Sequence, residues 1–243
     1  MSEKILYYDC FAGISGDMNI GALVDLGVPE DYLRSELKKI GLDGFSLRLS
    51  RDAKHGIHGT RAEVLLERHD HEHRTFKDIL GIIEASTLSD AVKDTSSDIF
   101  RAVAEAEGKV HNHPVEEVHF HEVGAVDSIV DIIAAAVCLD YLKPDRILSS
   151  TVELGSGFVK CAHGLLPVPA PATAEILKGA KVKSGAVSFE ATTPTGAAIL
   201  AANVATFTDE KRFVIEKIGY GVGHKDGEIP NILRVILAEG EIV

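Results

Sequence analysis

Apolar and polar positions along the chain change period several times, and each change marks an element. Residues 5–8 are a short apolar run that predicts a buried strand, followed by a small-residue loop over 9–17 and an apolar helix from about 18 to 26. Residues 29–40 carry apolar positions at helical spacing behind Pro29, as a surface helix does. Residues 45–49 and 62–66 alternate like half-buried strands, with His55-Gly56-Ile57-His58-Gly59 between them. Helices are expected over 76–85 and 88–110, the second with Val92, Ile99, Phe100, Val103 and Ala104 toward the core. Alternation returns at 118–121, a predicted strand with His119 and His121 on one side and Val118 and Phe120 on the other. From Ala125 to 142 the period is helical again, through Val126, Ile129, Val130, Ile133 and Val137.

Residues 147–154 read as a strand, and Gly155-Ser156-Gly157 turns the chain. Pro167, Pro169 and Pro171 hold 166–171 extended and exclude a helix there, before a short helix at 172–177. Thr193 before Pro194 matches an N-cap followed by proline at the first helical position, opening a helix to about 203. Residues 213–218 and 232–237 are closing strands, and 219–224 reads as a mobile or ligand-facing loop. This order predicts an α/β fold, a mixed sheet with flanking helices, without assigning the strand order. Residues 1–243 read as one domain, with room for a sub-boundary near 143, where Pro144 breaks the pattern.

Composition narrows the function. The formal net charge of -12 argues against binding a nucleic acid backbone, which requires a basic face. Cys10, Cys138 and Cys161 lie far apart with no CxxC pair, which fits a reducing cytoplasm better than a disulfide framework. The N-terminus lacks the apolar core of a signal peptide, and no apolar run approaches membrane-spanning length. A cytoplasmic protein without a membrane partner is the expectation.

The densest chemistry lies over 118–131, where His119, His121, Glu122, Asp127 and Asp131 are five potential metal ligands. Asp127 and Asp131 share one helix face, so imidazoles from the strand end and carboxylates from the helix's first turns can converge on one cation. That donor set suits nickel, zinc, manganese or iron without choosing among them. The plainer alternative is that Asp127 favours a helix N-terminus and the histidines are partly buried strand residues. A second histidine group, His69, His71 and His73, sits in a polar stretch suited to loose metal binding, or simply to solvation. His111 and His113 arrive just before the dense run.

Two loops are suited to an anion. The first holds Asp9, Gly13, Ser15, Gly16 and Asp17, and the second holds Thr193, Thr195 and Gly196; each opens a predicted helix. Neither carries a Rossmann or P-loop signature, and a plain turn or helix cap serves equally well as an account. The extended segment 166–171 is a rigid strap beside His163, which is otherwise an ordinary loop residue.

DCFAGISGDM, VHFHEVGAVDSIVD, AHGLLPVPAPAT, TTPTGAA and GYGVG, in this order, resemble the LarC family, the nickel-insertion protein of lactate racemase maturation. The resemblance covers essentially the whole chain. It implies a nickel chelatase, a metal-inserting lyase that places nickel into pyridinium bisthiocarboxylic acid mononucleotide to yield the nickel-pincer nucleotide cofactor. It also implies dependence on CTP with manganese or magnesium. The implied partners are that mononucleotide, other lactate racemase pathway proteins and a C-terminal half of the LarC type, with a homo-oligomer also compatible. The family's CTP-handling part lies in that second half, so this chain corresponds to the first half and is expected to be inactive alone. His119, His121, Asp127 and Asp131 are then the expected nickel ligands. Glu122 or a histidine, His163 among them, would accept the proton that nickel displaces from the ring carbon. Two rival classes are a metal-dependent hydrolase, in which the same cluster activates water, and a non-catalytic nickel carrier.

Overall fold

The computed structural model describes residues 2–67, 74–120, 123–161 and 164–241. His69, His71, His73, His121, Glu122 and His163 lie outside them.

In chain order the strands are β1 (Ser2–Asp9), β2 (Phe45–Lys54), β3 (Ile57–Leu66), β4 (Arg146–Ser149), β5 (Val152–Glu153), β6 (Phe158–Cys161), β7 (Gly164–Pro167), β8 (Val182–Lys183), β9 (Thr206–Phe207), β10 (Val214–Val222) and β11 (Ile232–Glu241). The helices are α1 (Gly16–Leu26), α2 (Glu30–Leu37), α3 (Phe76–Ala85), α4 (Asp90–His111), α5 (Val126–Leu142), α6 (Pro171–Ile176) and α7 (Pro194–Asn203). Seven strands form one mixed sheet in the order β2-β3-β10-β11-β1-β4-β9. β11 is the middle strand, and β1 beside it is antiparallel to β11 and parallel to β4. The expected α/β architecture is therefore present.

The alternation along β1 divides the two faces. Leu6 and Tyr8 join the main core beneath the helices, whereas Ile5 and Tyr7 join a small cluster on the other face with Leu148, Ile236 and Ala238. α1 lies on the sheet, and α5 packs over it and against α4 and α7. This middle position explains why α5 is apolar nearly all round, with Ile129, Ile132, Ile133, Ala134 and Val137 each fully buried.

Three segments depart from the sequence reading. Residues 118–121 are not a strand among the described positions. After a 3₁₀ turn at Val115–Glu117, a single bridge joins His119 to Thr75. The alternation survives, because Val118 and Phe120 are buried while His119 is exposed, and Phe120 packs 6.1 Å from Phe100 and 6.4 Å from Phe76. The strand expected over 147–154 is two pieces, since Ser150 donates to Tyr8 O and Thr151 turns aside to Asp209.

Residues 219–222, expected in a loop, belong to β10. Their glycines serve close approach rather than a turn. A Cβ at Gly219 would overlap the Ala22 carbonyl and lie 2.5 Å from Leu26 N, and one at Gly221 would overlap the Met18 carbonyl. α1 thus rests backbone to backbone on β10.

Gly221→Ala is expected to cost roughly 1–3 kcal/mol by overpacking this seat. Gly81→Ala, at an exposed helical position with nothing near its added Cβ, is expected to gain about 0.5–1 kcal/mol. Urea denaturation of the two variants checks both signs.

Candidate functional site

β1 and β4 are parallel neighbours, and the loops leaving their C-terminal ends converge, the usual place for a ligand in an open α/β sheet. Asp9 ends β1 and is held by Arg234 of β11, whose Nε donates to Asp9 Oδ2 at 3.0 Å while the guanidinium lies 5.7 Å from the centre of the Phe11 ring. Beyond Asp9, Cys10 N donates to Ser150 Oγ at 2.9 Å and Cys10 O accepts from Glu153 N at 3.1 Å.

The two small-residue loops meet here. Ile14 bridges Thr192, and Thr193 N donates to Ile14 O at 3.1 Å. Gly13 has φ +84, and a side chain there would overlap the Ala191 carbonyl. One at Gly196 would lie 2.6 Å from the Ile14 carbonyl carbon. Thr193 caps α7 by accepting from Gly196 N at 3.2 Å. Thr195, one residue after Pro194, is buried. Ser15 occupies the N-cap of α1 without a side-chain cap bond and donates instead to Asp17 Oδ1. The helix therefore keeps its partial positive charge directed at whatever stands before it.

Asp131 of α5 stands there. A Cβ on Gly16 would lie 2.7 Å from both Asp131 Cβ and Cγ, so only glycine at 16 leaves room for this carboxyl group. The residue is half-buried, yet its Oδ1 is sealed from solvent and finds no hydrogen-bond partner among the described residues. Burial, and then the charges of Asp17 and Asp127, push the Asp131 carboxyl well above the ordinary carboxylate range. On the other side of Asp17, its Oδ2 lies 3.3 Å from His224 Nε2. That hydrogen bond raises the His224 imidazole's affinity for a proton.

Of the expected ligands, Asp131 thus faces Asp17. Asp127 is exposed, and its Oδ1 accepts from Ser128 N at 2.8 Å. His119 lines a separate cavity beside α4 that neither aspartate lines. Among the described residues, no three His, Cys, Asp or Glu side chains are already arranged to hold a metal ion.

Sequence reasoning missed three participants. His224 ends the glycine segment read as a loop. Asn19 is fully buried one turn beyond Gly16, with both amide atoms unpartnered among the described residues. Glu153 is fully buried between the loops: Oε1 accepts from Gly155 N at 2.9 Å and Ala186 N at 3.2 Å, and Oε2 has no partner among the described residues. Polar residues inside the apolar runs 18–24 and 152–154 were the available signal.

Fold and junction together define an α/β protein that gathers carboxylates, an imidazole and two glycine-bearing loops beyond its parallel strand ends. The family model described as nickel insertion protein matches residues 6–242, and the chain belongs to that family. It is 57% identical to the pyridinium-3,5-bisthiocarboxylic acid mononucleotide nickel insertion protein of Clostridium kluyveri, over 98% of this chain and 63% of that protein. The protein of the same name from Clostridium acetobutylicum is 54% identical over 98% of this chain and 64% of its own length. That from Geobacillus kaustophilus is 49% identical over 97% and 60%. The chain therefore spans less than two thirds of the length of these relatives. No solved structure matches it. Among the described residues, no helix is long and apolar enough to cross a membrane.

The raised Asp131 carboxyl has a pH signature. The folded state holds its proton above the unfolded value of about 3.9, so stability falls as pH rises from there toward the raised folded value. In chelator-treated protein, Asp131→Asn is expected to flatten the fall in urea midpoint as pH rises above about 4. Parallel pH profiles for the two proteins would show that this carboxyl carries no such linkage.

Proposed function

We propose that this chain holds nickel and the mononucleotide during nickel insertion into pyridinium-3,5-bisthiocarboxylic acid mononucleotide. In this reading the complete activity requires the remainder of a full-length relative, CTP and manganese or magnesium. The observation that carries it is the sealed Asp131 oxygen against Gly16, which has no hydrogen-bond partner among the described residues and feels the charge of Asp17. A divalent cation there would take the place of the Asp131 proton and relieve the repulsion between neighbouring carboxylates. Asp131 and Asp17 are the proposed inner ligands, with Asp127 and His121 completing the set and His224 holding Asp17 in orientation. Oxygen donors joined by an imidazole fit nickel and leave it labile enough to pass on.

The mononucleotide phosphate is assigned to the junction of 13–17 and 193–196, at the openings of α1 and α7. Insertion replaces a ring hydrogen by nickel, so a base must take that proton; Glu122 and His163 are the candidates for it. Lactate racemase pathway proteins are the expected recipients of the product.

The test combines this chain with the remainder of a relative such as that of Clostridium kluyveri, supplied in trans with nickel, CTP and magnesium. Mass spectrometry of the mononucleotide reads the nickel inserted. Asp17→Asn and Asp131→Asn are expected to weaken nickel binding by roughly 10–100-fold, and Thr195→Val to weaken mononucleotide binding by about 0.5–1.5 kcal/mol without touching nickel affinity. Gly16→Ala should act on nickel, because its methyl displaces Asp131. Rapid CTP cleavage by this chain alone, or unchanged nickel affinity in both aspartate variants, would overturn the assignment.

A further inference from the structure

The cavity beneath the end of α4 is not used by the junction described above. It encloses about 760 Å³ and is lined by His111, His113 and His119 together with Glu107, Glu116 and Glu117. Lys77 is the lysine that also lines it, so carboxylates outnumber ammonium groups and the cavity favours cations.

The three histidines come from backbone that is already tied down. His111 is the last residue of α4, Asn112 caps the helix with φ 55, and His113 N donates to Gly108 O at 2.8 Å. The turn is close enough that a Cβ on Gly108 would lie 2.9 Å from His113 O. His119 is fixed by its bridge to Thr75, flanked by Phe76 N donating to Val118 O and Phe120 N donating to Arg74 O, each at 3.1 Å. The His111 ring has Nε2 3.1 Å from Glu107 Oε2, so a carboxylate stands beside this imidazole. His113 and His119 are exposed, so their rings turn without disturbing the core.

We propose that this cavity is a second metal site, which takes a divalent first-row transition ion through His111, His113 and His119 and is separate from the Asp17–Asp131 pair. Imidazole donors select nickel, zinc or copper over magnesium and calcium. The ligands are not gathered beforehand, so the site closes on its ion by side-chain rotation. It should bind more weakly than a preformed cage. The proposal rests on donor chemistry at this cavity and is independent of where nickel insertion takes place.

The experiment is nickel titration by calorimetry on the full chain with His69, His71 and His73 replaced by Gln, which removes the polar tract's contribution. Adding His111→Gln, His113→Gln and His119→Gln together is expected to remove one equivalent of nickel that excess magnesium does not displace. Adding Asp17→Asn and Asp131→Asn instead is expected to leave that equivalent in place. Diethyl pyrocarbonate labelling read by peptide mass spectrometry supplies an independent measure: nickel should protect His113 and His119. It also serves if the triple variant does not fold, because it needs only the parent protein. Equal nickel stoichiometry with and without the three histidines, or no protection by nickel, overturns the site. Loss of the same equivalent in the aspartate variant overturns its separateness.

Discussion

Everything at the loop junction depends on how near a helix can come to a strand. α1 lies on β10 with no side chain of the strand between them at Gly219 and Gly221, so backbone contact fixes how near the helix comes there. Backbone atoms cannot change rotamer, which makes this seat less forgiving than an ordinary core contact. The position of the first turn of α1 follows from it. Gly16 then admits Asp131 from α5, and Asp17 is carried to His224 just beyond the end of the same strand.

A seat this rigid bears on the electrostatics. Asp131, Asp17 and Asp127 stand close enough that the charges of the latter two disfavour ionisation of the first, in a chain whose formal charge is already -12. A flexible site would relax by turning the carboxylates out to water. Here Asp131 is confined by Gly16 on one side and the buried length of α5 on the other, so its Oδ1 stays sealed and unpartnered among the described residues. Such an arrangement costs stability and favours whatever cation or proton neutralises it.

Much of the fold was legible because periodicity reports local conformation. The runs at 5–8, 76–85, 125–142 and 194–203 became strand or helix close to where the alternation and caps put them. Thr193-Pro194 opened α7 as its chemistry requires. Two kinds of information were not local. GYGVG carries the same letters whether glycine turns the chain or admits a neighbour's backbone, and only the packing of α1 decides between them. His119 and Asp131 are close in sequence, but the single bridge to Thr75 directs His119 toward α4 while α5 carries Asp131 to Gly16. Asn19 and Glu153 were visible only as polar letters in apolar runs, a signal of burial without a named partner.

The register of the central strands has a consequence for the birth of the chain. β1, made long before β11, pairs with it so that Glu241 lies opposite Ser2. At ribosomal rates of about 5–20 residues per second, the Ile5–Tyr8 run waits roughly 10–50 s for that partner. Until then one of its edges is an open template for another nascent chain. Contacts this distant in sequence also slow the closing step itself. β4 pairs with the opposite edge of β1, so this edge stays open until β11 slots into the middle of the sheet, unless a chaperone covers it first.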